Sequence, residues 1–497
     1  MMKIKQNSAL NLEKSPGFPV ISKIIDVLRD ENISGYLVGG FVRDIILGLN
    51  SVDIDIALSH LNPDILEKIS GSLHGKYFIL DPVNKVARMV VQDAGNTWHI
   101  DIAPLRDSIR DDLAKRDFSI NAMAIPLENP QGALESLTLI DPHCGMKDIH
   151  NRYIRAINHD IFQNDPARLL RAIRIAAELG FRLEAKTAKL VKLNSPLLKQ
   201  VPGERIRLEL VAILEARDTG SRFYEMDEMD LLGVLFPEFM GTRGVEQPKE
   251  HFWDVFNHSI ETVRAVENLL SGSRARGSDS LLSSVPWSPE ISEYFNKKNN
   301  GEVSRGALLK LAALLHDVAK PATRALDGER LRFLGHAQKG AEIIELIMHR
   351  LRFSKRETDI VSRIVYHHLR PGQLTNEDLP SPRAIYRYFR DLEDIAVDVL
   401  YFSLADHLAT RGPNIDPENW KKHTGMISYI VQAKEANDKS VSPPKLVDGH
   451  EIMKRFHLEP GPRIGVILEQ IKEAQASGEI NTKDEALNLV KRQYAHS

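Results

Sequence analysis

Two aspartates at alternate positions, Asp53 and Asp55, are the first residues in the chain whose types and spacing suggest chemistry. They lie in the run VDIDIAL, which is typical of a strand, and alternate residues of a strand point to the same face. Two carboxylates that converge in this way repel each other unless a cation lies between them. Oxygen ligands suit Mg²⁺, which completes its coordination with water and phosphate oxygens. The pair therefore predicts a magnesium site that acts on phosphates.

Residues on either side of the pair could complete such a site. Before it, a short strand leads through Gly39 and Gly40 into a predicted helix, whose free amide groups favour an anion such as a triphosphate. Arg43 in the first turn of that helix could pair with the same phosphates, although a plain strand–helix connection has the same pattern. After it, the run HIDIA predicts another strand with Asp101, which is either a third ligand for two-metal phosphoryl transfer or a solvent-facing residue.

A third group lies on a predicted helix further along the chain. Asp165, Arg168 and Arg171 are three residues apart and therefore share a helix face. A carboxylate beside a guanidinium offers acceptors and donors together, as the Watson–Crick edge of a base requires. Asp165 could also cap the helix, with Pro166 at its first position, and the two roles are compatible.

The second half of the chain contains histidines and aspartates that could bind a metal. The adjacent pair His316 and Asp317 ends an apolar helix, where unsatisfied ionisable groups are costly. Further candidate ligands follow in sequence order, and they are His258, His336, His367 or His368, and Asp406. Each histidine alone could be a structural or surface residue, but together they predict a metal site. Mixed nitrogen and oxygen ligands discriminate poorly between Mg²⁺ and divalent transition metals.

The elements that must position these residues change in type along the chain. Up to about residue 160, short β-branched runs alternate with turns and helix signals, and from Asp165 onward the apolar spacing is helical. A chain of 497 residues is too long for one hydrophobic core. We expect an α+β protein with a mixed-sheet head (1–160), an all-α neck (161–245), a helical body (246–440) and a small helical tail (441–497).

Composition and charge limit the class of protein. Hydrophobic residues make up 42% and charged residues 27%, as in ordinary globular proteins. The net charge of −3 does not decide for or against a nucleic-acid partner. Cys144 is the single cysteine, which excludes an intramolecular disulfide framework and a cysteine-rich zinc site. The sequence has no run that predicts a signal peptide or a membrane span, so we expect a cytoplasmic protein without a membrane partner.

Five segments occur in a specific order, and they are GYLVGGFVRDIILGLNSVDIDIAL (35–58), LAKRDFSINAMA (113–124), IDPHCGMKDI (140–149), NDPARLLRAIRIAAELGF (164–181) and VPGERIRLEL (201–210). Together they resemble the motifs of the class II, bacterial-type tRNA nucleotidyltransferase and poly(A) polymerase family. Lys115 departs from the arginine usual in the second motif, and Asn164 from the acid usual in the fourth. The resemblance implies a polymerase-β-like head and a neck that binds the nucleobase and RNA.

The resemblance also implies an activity. A member of this family transfers CMP or AMP from CTP or ATP to an RNA 3′-hydroxyl and releases pyrophosphate, with tRNA as the leading substrate. CCA addition, addition of CC or of A alone, and poly(A) synthesis all remain open. Asp53, Asp55 and Asp101 become the catalytic metal ligands, with Mg²⁺ as cofactor. The implied nucleotide-binding residues are Gly39, Gly40, Arg43, Arg116, Asp117, Asn121, Asp165, Arg168, Arg171 and Arg174, of which Asp165 and Arg168 choose C or A.

Residues 248–415 resemble a second family, the HD superfamily of metal-dependent phosphohydrolases. This resemblance implies metal ligands at His258, His316, Asp317 and Asp406, with His336 and His368 holding a second ion. A bound ion would lower the pKa of a water and make it a nucleophile towards phosphate esters such as 2′,3′-cyclic phosphate ends. The remaining alternatives are an HD phosphohydrolase with a vestigial nucleotide-binding head and a non-enzymatic RNA-binding scaffold.

Overall fold

The computed structural model describes residue 12 and residues 15–93, 95–105, 107–127, 139–271, 280–299, 303–328, 330–374, 379–436 and 441–494. The chain divides into two compact units, Met1–Val201 with Met229–Leu231, and Pro202–Glu228 with Leu232–Ser497. The predicted α+β class is confirmed, since a mixed sheet with helices precedes a helical region. The first unit continues beyond residue 160 to Val201 and therefore includes part of the predicted neck (161–245). The division into head, neck, body and tail stays a prediction.

The first unit is built on a six-stranded sheet. The strands of this sheet are β1 Gly35–Val38, β2 Asp53–Leu58, β3 Lys76–Asp81, β4 Val86–Asp93, β5 Asn96–Pro104 and β6 Ala124–Pro126. Their order is β3-β4-β5-β2-β1-β6, in which β2 and β5 are parallel and the other neighbouring pairs are antiparallel. The parallel register places Asp53 opposite His99 and Asp55 opposite Asp101.

Helices of the first unit are α1 Phe18–Asp30, α2 Gly40–Leu47, α3 Pro63–Ser72, α4 Ile109–Leu113, α5 Gly145–Asn151, α6 Ile161–Asn164, α7 Arg168–Leu179 and α8 Ala185–Asn194. A short parallel pair, β7 Tyr153–Ile154 and β8 Arg182–Leu183, lies among them. Two of these elements determine the position of the site. Gly39 takes a positive φ of +74° between β1 and α2, and α7 buries Leu169, Leu170 and Ile173 while its arginines remain on the other side.

After Val201 the chain is mainly helical. The helices are α9 Gly203–Glu215, α10 Thr219–Glu228, α11 Leu231–Leu235, α12 Pro237–Met240, α13 Val255–Leu270, α14 Ser280–Ser283, α15 Pro289–Asn296, α16 Arg305–Leu315, α17 Lys320–Thr323, α18 His336–Arg350, α19 Lys355–His367, α20 Pro382–Leu392, α21 Ala396–Arg411, α22 Pro417–Glu435, α23 Gly449–Phe456, α24 Pro462–Ala476 and α25 Lys483–Tyr494. Two hairpins join them, formed by β9 Lys298–Asn299 with β10 Val303–Ser304 and by β11 Arg324–Asp327 with β12 Arg330–Phe333.

Helix α16 is the centre of the second unit. All of its residues are buried, and it packs against α9, α13, α19 and α21. Its two cations have partners, because Arg305 forms an ion pair with Asp398 and Lys310 donates to the carbonyl oxygens of Leu214 and Ala216. The helix ends directly before His316, so the predicted metal ligands begin in the interior of this unit.

The tail segment has a hydrophobic core of its own. Ile452, Ile467, Ile471 and Leu487 are among the buried residues that α23, α24 and α25 contribute to it. Helix α24 packs on α20, where the carboxylate of Glu473 accepts hydrogen bonds from two arginines. Through this contact the tail segment packs against a helix of the preceding segment.

Candidate active sites

An open cavity of about 580 Å³ lies in the first unit. It brings together most of the head residues predicted from the sequence, namely Gly39, Gly40, Arg43, Asp53, Asp55, Arg116, Asp117, Asn121, Arg168, Arg171 and Arg174. A cavity of this volume is of the size that binds a small ligand. Five arginines and two strand carboxylates share its wall, which suits a polyphosphate and a divalent cation.

The two carboxylates of β2 form the acidic part of this wall. Asp55 is partly buried, and this burial raises its pKa to about 6, with Asp101 and Asp53 adding to the rise and Arg116 opposing it. The backbone of Gly39 lies so close that a Cβ there would be 2.5 Å from Asp55 Oδ2. A partly buried acid with two acidic neighbours is stabilised by a cation, so these residues fit a divalent metal ion.

Asp101 lies beside Asp55 in the sheet but is held by another residue. Nε and Nη2 of Arg88 donate to the two carboxylate oxygens of Asp101, each at 2.7 Å. Among the described residues, the groups of three potential ligand atoms within 4.8 Å of one another include none of Asp53, Asp55 and Asp101. Arg88 was not among the residues predicted from the sequence, although a cation inside the apolar run VARMVV was a visible signal.

The phosphate side of the cavity is a hydrogen-bonded network. Arg43 donates from Nε to Asp44 Oδ1 at 2.8 Å and from Nη1 to Asn121 Oδ1 at 2.9 Å. Asn121 in turn donates to Asp117 Oδ1 at 3.2 Å, and that oxygen also accepts from the backbone of Phe118 at 2.7 Å. Sequence reasoning did not single out Asp44. Burial raises the pKa of its carboxyl above the usual value, and the contact with Arg43 offsets part of this rise. The network fixes the guanidinium of Arg43 at the cavity wall.

The start of α7 holds the pair predicted to face a base. Nη1 and Nη2 of Arg168 donate to the backbone carbonyls of Arg116 and Lys115 at 3.4 and 3.2 Å. Nε of Arg168 lies 3.9 Å from Asp165 Oδ2, so the two groups are side by side. Asp165 Oδ1 also accepts from the backbone of Ala167 at 3.2 Å, but α7 begins at Arg168 with Ala167 as its N-cap, so the predicted cap with Pro166 at the first helical position is wrong. Asp165 is outside the set of described residues that line the cavity.

The next two turns of α7 add further charge. Nη1 of Arg171 lies 3.5 Å from Asp117 Oδ2, and Nη1 of Arg174 donates to both oxygens of Glu178 at 2.9 and 3.0 Å. Both arginines line the cavity while they hold these contacts. A triphosphate in the cavity would therefore meet guanidinium groups whose orientation is already restricted.

In the second unit, the histidine and aspartate ligands come together as predicted. They form two groups, His258 with His316 and Asp406, and Asp317 with His336 and His368, and the ligand atoms within each group lie within 4.8 Å of one another. The Nε2 atoms are 3.3 Å apart between His258 and His316, and 3.3 Å apart between His336 and His368. Of the two adjacent candidates, His368 and not His367 belongs to these groups of described residues.

Asp317 connects the two groups. Its Oδ2 lies 3.0 Å from His316 Nε2 and 3.7 Å from His258 Nε2, while its Oδ1 lies 3.6 Å from His336 Nε2. Asp317 Oδ1 is buried, and no described residue forms a hydrogen bond with it. A carboxylate between two imidazole pairs suits a position that bridges two metal ions.

The orientation of the histidines gives an independent test of whether they fit a metal. Nδ1 lies within hydrogen-bond distance of a backbone carbonyl in three of them, at 2.9 Å for His316 and at 2.6 Å for His336 and for His368. This contact keeps the proton on Nδ1 and leaves the Nε2 lone pair directed into the cluster. Burial lowers the pKa of His368 to about 3, with His316 adding to the shift, so its neutral, metal-binding form is favoured. The residues therefore fit divalent metal ions.

A second open cavity, of about 770 Å³, adjoins this cluster. Besides ligand residues, its lining includes four cations that suit a phosphate ester, Lys320, Arg330, Arg332 and Arg370. Nζ of Lys320 lies 2.6 Å from Asp317 Oδ2 and 2.6 Å from Gln247 Oε1. Lys320 was not assigned a role from the sequence, although it follows the His–Asp pair by one helical turn.

In the part of the chain that the structure describes, the helices are too short or too polar to cross a membrane.

Comparisons with known proteins identify relatives of each region. The family model for the Poly A polymerase head domain matches residues 35–155, and the HD domain model matches residues 288–411. A third model, described as the probable RNA and SrmB-binding site of polymerase A, matches residues 180–241. These matches follow the order of the regions expected from the sequence.

Two curated relatives extend over nearly the whole chain. An A-adding tRNA nucleotidyltransferase of Deinococcus radiodurans is 32% identical over 468 residues, which are 92% of this chain and 94% of the relative. A CC-adding tRNA nucleotidyltransferase of Thermus thermophilus is 30% identical over 458 residues, or 90% and 91% of the two chains. A solved structure of the Thermotoga maritima CCA-adding enzyme complexed with tRNA has a TM-score of 0.63 at 23% identity, covers 99% of both chains and shows the same fold.

Proposed function

Because the chain belongs to the family of tRNA nucleotidyltransferases, we propose that it transfers CMP or AMP from CTP or ATP to the 3′-hydroxyl of tRNA and releases pyrophosphate. The observation that carries this proposal is a single cavity that is lined both by Asp53 and Asp55 and by the arginines of α7. The nucleotidyltransferase class and the family resemblance predicted from the sequence are confirmed. An intact acid pair with Arg43 in one cavity disfavours a vestigial head and a scaffold.

In the head, Asp53 and Asp55 would hold a divalent ion, which we propose to be Mg²⁺. When bound, it supplies Lewis-acid activation of the attacking hydroxyl and of the phosphate. Arg43, fixed by Asp44 and Asn121, binds the phosphates of the incoming nucleotide. The missing side chain at Gly39 leaves room for the reacting phosphate next to Asp55.

The start of α7 would select the base. Cytosine and adenine both present an exocyclic amine beside a ring acceptor, whereas uracil and guanine present the reverse pattern at that edge. Asp165 accepts from the amine, and Arg168 donates to the ring nitrogen. Two backbone carbonyls fix the orientation of the planar Arg168 guanidinium, which favours selection of a base over simple charge attraction.

The extent of addition is tested by the ends that the enzyme produces. Purified chain is incubated with Mg²⁺, CTP and ATP and with tRNA transcripts that end before the CCA, after C or after CC, and the product 3′ ends are sequenced. Complete CCA ends on all three transcripts indicate CCA addition, and a single A on the CC-ending transcript alone indicates A addition. Products that stop at CC indicate CC addition. Long adenosine tails would support the poly(A) polymerase alternative. Absence of incorporation by a folded protein would refute the proposal.

The second unit supports an additional activity. We propose that it hydrolyses phosphate esters, because Asp317 lies between two imidazole pairs and the adjoining cavity is rich in cations. The metal there would be Mg²⁺ or a divalent transition metal. Ring opening of nucleoside 2′,3′-cyclic phosphates to nucleoside monophosphates and release of phosphate from nucleoside 3′-phosphates are each measured with Mg²⁺, Mn²⁺, Ni²⁺ and Co²⁺ in turn. Hydrolysis lost in His316→Ala supports the activity, and no hydrolysis with any of these metals contradicts it.

A cytoplasmic location belongs to the same proposal, because tRNA is the substrate. Fractionation of cells that produce the tagged chain tests it, with recovery in the membrane fraction as the contrary result.

A further inference from the structure

Arg88, Asp101 and Asp55 form a row across three neighbouring strands. The antiparallel register of β4 and β5 places Arg88 opposite Asp101, and the parallel register of β5 and β2 places Asp101 opposite Asp55. Side chains opposite each other on neighbouring strands are close enough to interact directly. The charge of Arg88 therefore lies one strand away from the acid pair that is proposed to hold the metal ion.

The contact between Arg88 and Asp101 uses both oxygens of the carboxylate. Nε and Nη2 each donate at 2.7 Å, which is the two-point geometry that makes arginine–carboxylate pairs strong. The two side chains are 33% and 24% exposed, so solvent does not screen the pair fully. Arg88 therefore holds both carboxylate oxygens of Asp101.

The contact between Arg88 and Asp101 changes the negative charge and the ligand oxygens that are available to a metal ion. Asp53, Asp55 and Asp101 carry three negative charges when ionised, and Arg88 offsets one of them. Arg116 also acts against the charge of Asp55. Because Arg88 binds both oxygens of Asp101, the carboxylates that remain to hold a divalent cation are those of Asp53 and Asp55.

We propose that Arg88 is a positioning residue that occupies Asp101, so that the nucleotide-free head binds one divalent ion, through Asp53 and Asp55. This inference rests on the metal site proposed for the head. A second ion would bind together with the triphosphate, which brings its own negative charge. Loss of Arg88 frees both oxygens of Asp101 and adds one negative charge, so it strengthens metal binding before any nucleotide is present. If Arg88 instead oriented Asp101 as a metal ligand, its loss would weaken binding.

Binding of Mn²⁺ without nucleotide distinguishes these two roles. The full chain carries His316→Ala and Asp317→Ala, which removes two ligands of the second cluster, and free Mn²⁺ is followed by electron paramagnetic resonance. With Arg88 intact, we expect one ion in the head. With Arg88→Ala, we expect roughly tenfold tighter binding or a second ion, because one more negative charge then acts on a divalent cation at short range.

Four further variants separate the possible explanations. Arg88→Lys keeps the positive charge and stays close to the parent, and Arg88→Ala combined with Asp101→Asn returns to it. Arg88→Gln serves the same purpose as Arg88→Ala if the alanine variant does not fold. Weaker or unchanged Mn²⁺ binding in both neutral variants overturns the inference about Arg88. Unchanged binding in Asp53→Ala would show instead that the proposed metal site of the head is wrong.

Discussion

Replacement of Gly39 by alanine tests whether the turn between β1 and α2 must lie against Asp55. Gly39 has φ +74° and ψ −148°, a region that is almost restricted to glycine. A Cβ at this position would lie 2.5 Å from Asp55 Oδ2 and 3.0 Å from Arg116 Nη1. The substitution therefore strains the backbone and also pushes on a proposed catalytic carboxylate.

The size of the effect follows from these distances. The backbone conformation costs an alanine about 1–3 kcal/mol, which a domain of ordinary stability survives. Ordinary contact begins at 3.4 Å, so the Asp55 carboxylate must move by about 0.9 Å. A misplacement of about 1 Å among reacting groups lowers a rate roughly 100-fold. We therefore expect Gly39→Ala to lose about two orders of magnitude in nucleotide addition while the protein still folds.

Single-turnover addition of CMP and AMP to tRNA measures this loss. Gly71→Ala is the control, because Gly71 on α3 does not line the cavity and a Cβ there would meet no atom of the described residues within 4 Å, and we expect a rate within about threefold of wild type. Phosphate ester hydrolysis by the second unit reports whether the rest of the chain is intact. If Gly39→Ala also stays within about threefold of wild type, the argument from the turn geometry is refuted.

Three further outcomes are expected. Asp53→Ala abolishes nucleotide addition and spares hydrolysis, whereas His316→Ala does the reverse; loss of both activities in either variant would contradict separate sites. Arg168→Ala lowers selectivity for C and A over U and G by roughly tenfold, because a two-point base contact contributes about 1–3 kcal/mol. Misincorporation assays measure this selectivity, and an unchanged value would disprove the base-reading role. Asp398→Ala removes the buried partner of Arg305 and leaves this cation with its contact to the exposed Asp394, so we expect the free energy of unfolding in urea to fall by about 3–5 kcal/mol. Asp394→Ala, at the exposed end of the same network, costs under about 1 kcal/mol, and equal losses would argue against burial as the cause.

The parts of the fold that local pattern determines were predictable. The alternation in VDIDIAL placed Asp53 and Asp55 on one face of a strand, and the structure has that strand at Asp53–Leu58. The ordered histidines and aspartates indicated one cluster because an apolar helix that ends in His316 and Asp317 must bury them. In both regions, residues close in sequence carry the signal.

Features that depend on register or helix phase were not predictable in this way. Arg88 meets Asp101 because β4 and β5 pair in one register, which no local pattern specifies. His367 and His368 differ by about 100° around the end of α19, so only the packing of that helix decides which one joins the cluster. The continuation of the first unit to Val201 depends on contacts between distant segments and has no composition signal.

The two sites differ in how much of the metal environment the protein provides by itself. In the second unit, backbone carbonyls orient three imidazoles and a buried carboxylate lies between them, so the ligand set exists before any substrate binds. In the head, two acids of one strand face an open cavity, and the triphosphate must supply the remaining oxygens. We therefore expect nucleotide binding to strengthen metal binding in the head and to leave metal binding in the second unit unchanged. The proposed hydrolytic centre would then hold its metal without CTP or ATP, whereas the proposed transferase centre would be complete only with one of them bound.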